Sequence, residues 1–364
     1  MLPSPARRPY TTVLVVPTGI GAAIGGYAGD ALPVARAIAA VVDTLITHPN
    51  VMNGAQLYWP MPNTLYVEGY GLDQFAAGRW GLRPVHGNRI GLVLDAAIED
   101  DLRWRHLQAA EATRATLGLA LTDYVITDAP LGVDLRTAES GATWGTIQRP
   151  DSLRRAAEQA IQAGAEAIAV VARFPDDTDD VALQNYRQGQ GVDPLAGAEA
   201  VISHLIVRSF QVPCAHAPAL SPLPLDPAIS PKSAAEEIGY TFLPCVLAGL
   251  SRAPRFVSTP PAQASDLWAD QVDAIVVPAS ACGGSAVLSF SQTSTLVIAV
   301  EANATTLDVP LAAFGQSPVQ AASYLEAIGL LVAHKAGIQP QALTAKIPGL
   351  KLFGKNIPSL GRES

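Results

Sequence analysis

The chain has 364 residues, a formal net charge of −8, 49% hydrophobic residues and 15% charged residues. This composition is typical of a well-packed soluble protein and excludes an intrinsically disordered chain. The acidic balance offers no basic face for a nucleic acid, and no apolar run reaches the roughly 18 residues that a membrane span needs. We therefore expect a protein whose partners include neither nucleic acid nor membrane.

The cysteines indicate the compartment. Cys214, Cys245 and Cys282 are an odd number and show no disulfide spacing, which favours a reducing environment. The N-terminal stretch also lacks the apolar core of a signal peptide. We expect a cytoplasmic protein.

The stretch 11–53 organises the rest of the chain. An apolar, β-branched run at 13–16 predicts a buried strand, which Pro17 ends at a glycine-rich loop. Asp30 is placed to cap the following helix, with Pro33 in its first turn. A strand, a glycine loop and a helix N-terminus can bring backbone amides together around an anion. The candidate ligand-binding residues of this loop are Thr18, Gly19, Gly21, Gly25 and Gly26.

The glycine spacing does not match a nucleotide-binding loop. Gly19 and Gly21 are followed by Ile24 where a dinucleotide fingerprint has its third glycine, and the Gly-Lys-Ser/Thr sequence of a P-loop does not occur. One interpretation of the loop is a site for another small anionic ligand. The other is a glycine turn that only packs against the sheet. The sequence identifies no cofactor.

Apolar runs alternate with segments of helical periodicity along the chain. The strands predicted after the first are 89–95, 124–128, 167–172, 273–278 and 296–300, and the predicted helices include 98–119, 151–164 and 318–336. This alternation predicts an α/β fold of mostly parallel sheets with flanking helices. We expect two lobes around a cleft, with an N-terminal lobe at 1–140, a second lobe at 141–345 entered through 134–150, and a basic tail at 346–364.

Two further segments are candidate contact surfaces. The loop 53–70 is rich in proline and aromatic residues, among them Tyr58, Trp59 and Tyr66, and a long loop of this kind is often functional. The tail carries Lys346 and further basic residues. A chain that used these surfaces would be a binding or assembly protein, and a homo-oligomer is among its expected forms.

Polar residues at the carboxyl ends of parallel strands are candidate site residues, because ligands bind at those ends. Cys282 follows the strand 273–278 and precedes Gly283, Gly284 and Ser285, whose amides could hold an anion and lower the pKa of the thiol. Cys282 is therefore a candidate nucleophile. A small buried cysteine is, however, more often an inert core residue.

A histidine and a carboxylate complete the catalytic candidates. His48 lies at the expected end of the first helix, where it could act as a general acid or base or could cap the helix, and Asn50 beside it is a ligand-binding candidate. Glu301 and Asn303 follow the strand 296–300. Glu301 could act as a general base, and Asn303 could bind a ligand or form an Asx-turn.

No metal site is predicted. His204 follows Glu199 by five residues, which is poor spacing for joint ligation from one helix face. His216 lies close to Cys214, but no further ligands are grouped near them.

Five runs of the sequence resemble a catalogued family. They are V-V-P-T-G-I-G-A-A-I-G-G-Y-A-G-D-A-L-P at 15–33, I-T-H-P-N-V-M-N-G-A-Q-L-Y-W-P at 46–60, L-Y-V-E-G-Y at 65–70, T-F-L-P-C-V-L-A-G-L at 241–250 and P-A-S-A-C-G-G-S-A at 278–286. The family is an uncharacterised group of cyanobacterial and plastid proteins, known as a domain of unknown function. The resemblance implies a soluble cytoplasmic or stromal protein of a photosynthetic lineage. It implies no reaction, ligand or catalytic residue.

The sequence favours an enzyme of the hydrolase, lyase or isomerase type. Its ligand would be a small anionic metabolite, held in the cleft by the two glycine-rich loops, and Cys282, His48 or Glu301 would supply proton transfer or nucleophilic attack. The alternative is a non-catalytic binding or assembly protein of a photosynthetic organism, with the loop 53–70 as its contact surface.

Overall fold

The computed structural model describes residues 8–54, 59–176, 180–238, 241–258, 263–347 and 349. Within these residues the strands are β1 (Thr11–Leu14), β2 (Thr44–Thr47), β3 (Thr64–Tyr66), β4 (Gly81–Arg83), β5 (Ile90–Leu94), β6 (Leu121–Ile126), β7 (Val133–Thr137), β8 (Thr143–Ile147), β9 (Ala167–Arg173), β10 (Cys214–Ala219), β11 (Arg255–Val257), β12 (Val272–Pro278), β13 (Leu296–Val300) and β14 (Val319–Ala321). The α-helices are α1 (Leu32–Ala39), α2 (Pro49–Met52), α3 (Gly69–Ala76), α4 (Asp100–Leu117), α5 (Pro150–Gln162), α6 (Asp180–Arg187), α7 (Ala196–Phe210), α8 (Pro231–Ile238), α9 (Leu243–Ser251), α10 (Ser285–Ser291) and α11 (Tyr324–Ala336).

Two parallel sheets form the framework of the molecule. One has six strands in the order β14-β13-β12-β1-β2-β3, and the other has four strands in the order β10-β9-β5-β6. Neighbouring strands run parallel throughout both sheets, whereas β4 with β11 and β7 with β8 form small antiparallel pairs. The predicted α/β class, with mostly parallel sheets and flanking helices, is confirmed. The arrangement as two lobes around a cleft stays a prediction.

The sheets do not divide the chain at residue 140. The six-stranded sheet combines β1, β2 and β3 with β12, β13 and β14, and the four-stranded sheet combines β5 and β6 with β9 and β10. The predicted boundary between 1–140 and 141–345 therefore does not coincide with a boundary between sheets. Parallel strands are joined by long crossovers, so the linear order of apolar runs does not reveal which strands pair.

The segment 134–150, expected to connect two lobes, forms most of a hairpin instead. β7 and β8 pair with Val133 opposite Ile147 and Thr137 opposite Thr143. Val133 and Ile147 are buried in a core cluster with residues of α5 and α7. The glycines that suggested a linker belong to this compact hairpin.

The end of the predicted opening helix is a strand. α1 ends at Ala39, and the residues directly before His48 form β2, which pairs with β1 and β3. The β-branched side chains of Thr44, Ile46 and Thr47 suit this pleated, buried position. His48 is consequently the N-cap of α2 after a strand, and the predicted helix C-cap role is wrong.

One hydrophobic core extends from sheet to sheet. Leu14 and Leu45 of the six-stranded sheet share a buried cluster with Leu94 and Val171 of the four-stranded sheet and with Leu247 of α9. α9 is buried along most of its length and packs on β5, β9 and β10. The carboxyl ends of both sheets are thereby held at a fixed separation.

The predicted contact surfaces are only partly described. Tyr66 lies buried in β3 and donates a hydrogen bond from its hydroxyl to Oδ1 of Asn53 at 3.0 Å. Trp59 is half exposed, with the Arg36 guanidinium 3.8 Å from its ring centroid. Lys346 is exposed. The remaining members lie outside the described residues, namely Tyr58, Lys351, Lys355 and Arg362.

Candidate functional site

A cavity of about 420 Å³ lies where the carboxyl ends of strands from both sheets meet. Residues following β1, β2, β3 and β12 line it from the six-stranded sheet, and residues of β10 and those following β9 line it from the other sheet. The volume lies within the range of small-molecule sites, and the carboxyl edge of a parallel sheet is where such sites occur. This cavity is the candidate functional site.

The lining carries acidic charge and histidines. Its carboxylates are Glu68, Asp73, Asp176, Asp193, Glu199, Glu236 and Glu237, and its histidines are His48, His204 and His216. Among the described residues, no lysine or arginine belongs to the lining. A site of this composition repels an anion and attracts a cation or a hydrogen-bond donor.

Two of the carboxylates are neutralised by arginines outside the lining. Arg173 contacts Asp176 at 2.5 Å and lowers the pKa of that carboxyl group to about 2. Arg187 makes a bidentate pair with Glu237 at 2.8 and 3.1 Å. Among the described residues, the other carboxylates of the lining have no arginine or lysine within 4 Å.

Glu68 and His204 form a close pair in the wall. Glu68 is buried at the N-cap of α3, where Oε2 accepts hydrogen bonds from the backbone N–H groups of Tyr70 and Gly71. Its Oε1 lies 2.5 Å from Nδ1 of His204 on α7. Burial acts to lower the pKa of His204, but Glu68 and then Asp73 outweigh it and raise that pKa. The neighbouring carboxylate thereby favours the protonated form of the histidine.

A second histidine lies between a serine and a glutamate. Nδ1 of His216 on β10 is 3.2 Å from Oγ of Ser203, and its Nε2 is 3.6 Å from Oε2 of Glu199. Ser203 and Glu199 are one turn apart on α7, so one face of that helix contacts His216. Two of the three imidazoles of the lining therefore lie near a carboxylate.

Asp193 and Glu236 are deeply placed acids that repel each other. Burial, followed by repulsion from Glu199, raises the pKa of Asp193 to about 7. Burial, followed by repulsion from Asp193, raises the pKa of Glu236 well above its usual range. Tyr186 holds Glu236 in position by donating its hydroxyl to Oε2 at 2.6 Å.

The glycines of the first loop contact protein atoms. Gly19 accepts a hydrogen bond from the Thr143 backbone, and a Cβ on Gly21 would lie 3.0 Å from Val192. A Cβ on Gly25 would lie 2.5 Å from Cγ1 of Val16, and one on Gly26 would lie 2.3 Å from the Ala22 carbonyl oxygen. Of the predicted loop residues, only Thr18 lines the cavity.

Asp30 has a different role from the one predicted. The N-cap of α1 is Ala31, not Asp30. Asp30 accepts a hydrogen bond from the Gly25 backbone and pairs with Lys232 at 2.8 Å. It therefore ties the glycine-rich loop to α8.

His48 and Asn50 both line the cavity. Nε2 of His48 accepts a hydrogen bond from the Val16 backbone at 3.0 Å, so the neutral ring carries its proton on Nδ1. Burial lowers the pKa of His48 to about 4. Asn50 donates to the Gly25 carbonyl at 2.8 Å. The ring of His48 is a hydrogen-bonding group that stays uncharged at neutral pH.

The second glycine-rich loop reaches the same cavity. β1 and β12 are neighbours in the sheet, so the loops that follow them lie side by side, and Gly284 and Ser285 line the cavity. Gly283 instead packs near Val309. The backbone N–H of Ala286 donates to Oδ1 of Asp73 at 3.0 Å, so a carboxylate of the protein occupies the position expected for an anionic ligand.

Cys282 lies in the core, away from the cavity. Its side chain is buried in a cluster with Val13 and Phe290, and Sγ lies 3.5 Å from the Ala279 carbonyl oxygen. Burial raises the pKa of the thiol. A nucleophilic cysteine needs access and a lowered pKa, so this environment matches the inert core alternative.

The residues after β13 also lie outside the lining. Glu301 is exposed at the surface. Asn303 is fully buried and holds the first loop, accepting from the Ile24 backbone N–H and donating to the Ile24 carbonyl and the Tyr324 hydroxyl, each at 2.8 Å. Asn303 is a structural clamp in this arrangement, and Glu301 does not reach the cavity.

Sequence reasoning missed the carboxylates of the site. Glu68 follows β3, a strand too short to be recognised, and Asp193 and Glu236 come from segments that carry no motif. His204 and His216 were considered only as metal ligands. Among the described residues, no group of three histidine, cysteine or carboxylate side chains could hold a metal ion.

Comparison with known families shows which family the chain belongs to. A family model described as a protein of unknown function, DUF3326, matches residues 11–344. The chain belongs to the DUF3326 family. The match spans both sheets and every residue of the cavity lining, and it confirms the resemblance to a domain of unknown function.

One relative extends this assignment. It is a protein of a Synechococcus species named an uncharacterised lipoprotein, 65% identical over 337 residues, which cover 93% of this DUF3326 chain and 94% of the relative. No solved structure matches the chain. In the part of the chain that the structure describes, no helix has both the length and the apolarity to cross a bilayer.

Proposed function

We propose that the chain is an enzyme that acts on a small polar metabolite in the cavity, and that His204 and His216 transfer protons in the reaction. The contact of Glu68 with His204 at 2.5 Å in the cavity wall carries the proposal. A histidine whose pKa is raised by a neighbouring carboxylate can serve as a general acid or base at neutral pH. Hydrolase, lyase and isomerase chemistry all need such a group.

The charge of the lining changes the ligand class that we favour. A small anion, the ligand expected from the glycine-rich loops, would face several carboxylates and no lining lysine or arginine of the described residues. A neutral or positively charged metabolite meets no such repulsion. The anion remains the competing version of the proposal, because Thr18, Gly284 and Ser285 face the cavity.

Filling the cavity tests the site. A Cβ at Gly284 meets no atom within 4 Å, and the backbone there is extended, so Gly284→Phe places a ring at the cavity without backbone strain. A Cβ at Gly87, in an exposed loop, is equally free, so Gly87→Phe is the matched control. The measurement is mass spectrometry of metabolites that the full chain retains or consumes from a cyanobacterial extract.

We expect the wild-type chain and Gly87→Phe to retain or consume the same metabolite. The affinity of Gly284→Phe for it should be at least about tenfold lower, which corresponds to about 1.4 kcal/mol of binding free energy. Equal signals from the two variants would place the ligand elsewhere. His204→Gln should retain the metabolite but no longer convert it. Unchanged conversion by His204→Gln would rule out the proton-transfer role and favour the binding or assembly protein.

The location of the protein is a separate part of the proposal. We infer a cytoplasmic protein from its free cysteines, whereas the name of the Synechococcus relative points to a lipoprotein. Fractionation of cyanobacterial cells decides between the two. Recovery in the membrane fraction after a high-salt wash would contradict the cytoplasmic location.

A further inference from the structure

We propose that the cavity binds an organic cation, whose ammonium or guanidinium group lies among Asp193, Glu199 and Glu236. This inference rests on the small-molecule site proposed above and names the chemical class of its ligand. The three side chains come from the segment before α7, from the first turn of α7 and from α8, and all three line the same cavity. They line one concave site and are not scattered over an outer surface.

The three carboxylates lack the arginine partners that two neighbouring carboxylates have. Asp176 and Glu237 each contact an arginine, whereas no described lysine or arginine lies within 4 Å of Asp193, Glu199 or Glu236, and Glu199 has His216 at 3.6 Å as its basic neighbour. Lys232, one turn before Glu236 on α8, pairs with Asp30 and donates to the Ala23 carbonyl instead. Asp176 and Glu237 are thus neutralised by arginines, whereas Asp193, Glu199 and Glu236 are not.

The carboxylates are deep in the molecule but face the cavity. Desolvation is the largest cause of the raised pKa of both Asp193 and Glu236, so little bulk water reaches them. Each residue is nevertheless only half-buried and belongs to the cavity lining. Placing like charges in such a position is costly unless a cation joins them.

The surroundings of Glu236 are fixed before any ligand arrives. Oε2 accepts from the Tyr186 hydroxyl, and Oε1 accepts from the Ala28 backbone N–H. Tyr186 stacks on Tyr27 with ring centroids 4.4 Å apart, and the Tyr27 hydroxyl donates to the Tyr186 carbonyl. A carboxylate held in this way loses little freedom on binding, which favours affinity. The Tyr186 ring adds an aromatic surface of the type that cations contact.

The geometry favours an organic cation over a bare metal ion. The described residues offer no group of three side chains that could hold a metal, and a volume of about 420 Å³ far exceeds that of one ion. The histidine pairs Glu68–His204 and Glu199–His216 lie in the same lining, so they would face the remainder of the bound molecule. The ligand class is therefore a small amine or guanidine with additional polar groups.

The test compares four probes of similar length by isothermal titration calorimetry on the full chain at pH 8. Putrescine and agmatine carry cationic ends, butanediol is neutral and succinate is anionic. We expect both amines to bind at least about tenfold more tightly than butanediol, and the isosteric double variant Asp193→Asn/Glu236→Gln to lose at least about tenfold in amine affinity. Glu301→Gln, which removes an exposed carboxylate outside the cavity, should bind as the wild type does.

The pH dependence gives a second readout. Binding of a cation favours the ionised form of Asp193, so amine affinity should rise with pH up to about 7, by at most about tenfold per pH unit for one proton released. The dependence should be weaker in the double variant. The other titratable and charged groups around the cluster, which are unchanged in this comparison, are Tyr27, Asp30, Tyr186, Arg187, His204, His216, Lys232 and Glu237.

Folding of the variants is checked by thermal unfolding. Without ligand, the double variant should melt at or above the wild-type temperature, because it loses like-charge repulsion. Failure of the amines to bind, or equal binding by butanediol or succinate, would overturn the inference. If succinate binds and Gly284→Phe abolishes that binding, the inferred ligand class is overturned but the proposed site is supported. Amine binding that Gly284→Phe leaves unchanged would count against the site itself.

Discussion

The two histidines nearest the carboxyl ends of β2 and β3 illustrate how local surroundings set residue chemistry. His48 accepts a backbone hydrogen bond and has a pKa lowered to about 4, whereas His204 contacts Glu68 and has a raised pKa. The sequence singled out His48 because it stands next to Pro49 and Asn50. It could not reveal the partner of His204, because Glu68 is distant in the chain.

The lowered pKa of His48 predicts a pH-dependent stability. In the unfolded chain the imidazole titrates near 6.5, so between pH 6.5 and 4 the unfolded state binds more protons than the folded state. The contribution is fully present above pH 6.5 and is lost as the pH falls, by about 2 kcal/mol at pH 5. Denaturant unfolding at pH 7 and pH 5 measures this loss.

His48→Gln is the control for that measurement, because it keeps a hydrogen-bond acceptor without a titrating ring. We expect the variant to lose about 2 kcal/mol less than the wild type between the two pH values. A loss equal to that of the wild type would show that His48 does not carry the effect. NMR titration adds a direct check, since the ring of His48 should stay neutral at pH 5 while that of His204 is protonated.

At the scale of elements, the glycine-rich loop is a packed connector. Gly25 has a φ of +95°, and a Cβ there would collide with Val16. Gly78 has a φ of +70° in open space. The two positions therefore separate the cost of the left-handed backbone from the cost of steric overlap.

We expect Gly78→Ala to destabilise the protein by roughly 1 kcal/mol through backbone strain alone. Gly25→Ala should cost at least about 2 kcal/mol more, because the new methyl group displaces Val16. Chemical denaturation of both variants measures the difference. Equal losses would mean that the loop yields without resistance and that its packing role is wrong.

The elements were predictable where burial and periodicity agree. β5, β9, β12 and β13 are apolar runs that the sequence located within a few residues. β2, β10 and the β7–β8 hairpin were missed, because their strands are short or contain polar residues. β10 even contains Pro218, which an edge strand tolerates, and its edge position depends on partners that the sequence does not disclose.

At the scale of the whole molecule, the shared core predicts one cooperative unfolding transition. The cluster that joins Leu14 to Val171 through α9 makes each sheet depend on the other. We expect circular dichroism and tryptophan fluorescence to report the same midpoint in denaturant. Two separated transitions would show that the sheets unfold as independent domains.

The candidate site was predictable only in outline. The rule that ligands bind at the carboxyl edge of a parallel sheet singled out Thr18 and Ser285, and both belong to one cavity lining. It also suggested Cys282 and Glu301, because sequence order does not tell which end-of-strand side chain points inward. The carboxylates of the lining come from α3 and its N-cap, from the loop after β9, from the segment before α7, from α7 and from α8, and only the fold brings them together.

The pairing of β1 with β12 has a consequence for how the protein is made. Synthesis proceeds from the N-terminus, so β1 emerges more than 250 residues before the strand that pairs with one of its two edges. Until β12 has left the ribosome, that edge of β1 has no native partner, and an exposed edge invites pairing with other chains. A ribosome-bound nascent chain that ends before residue 272 should therefore be protease-sensitive and should recruit chaperones, whereas one that extends past 321 should not.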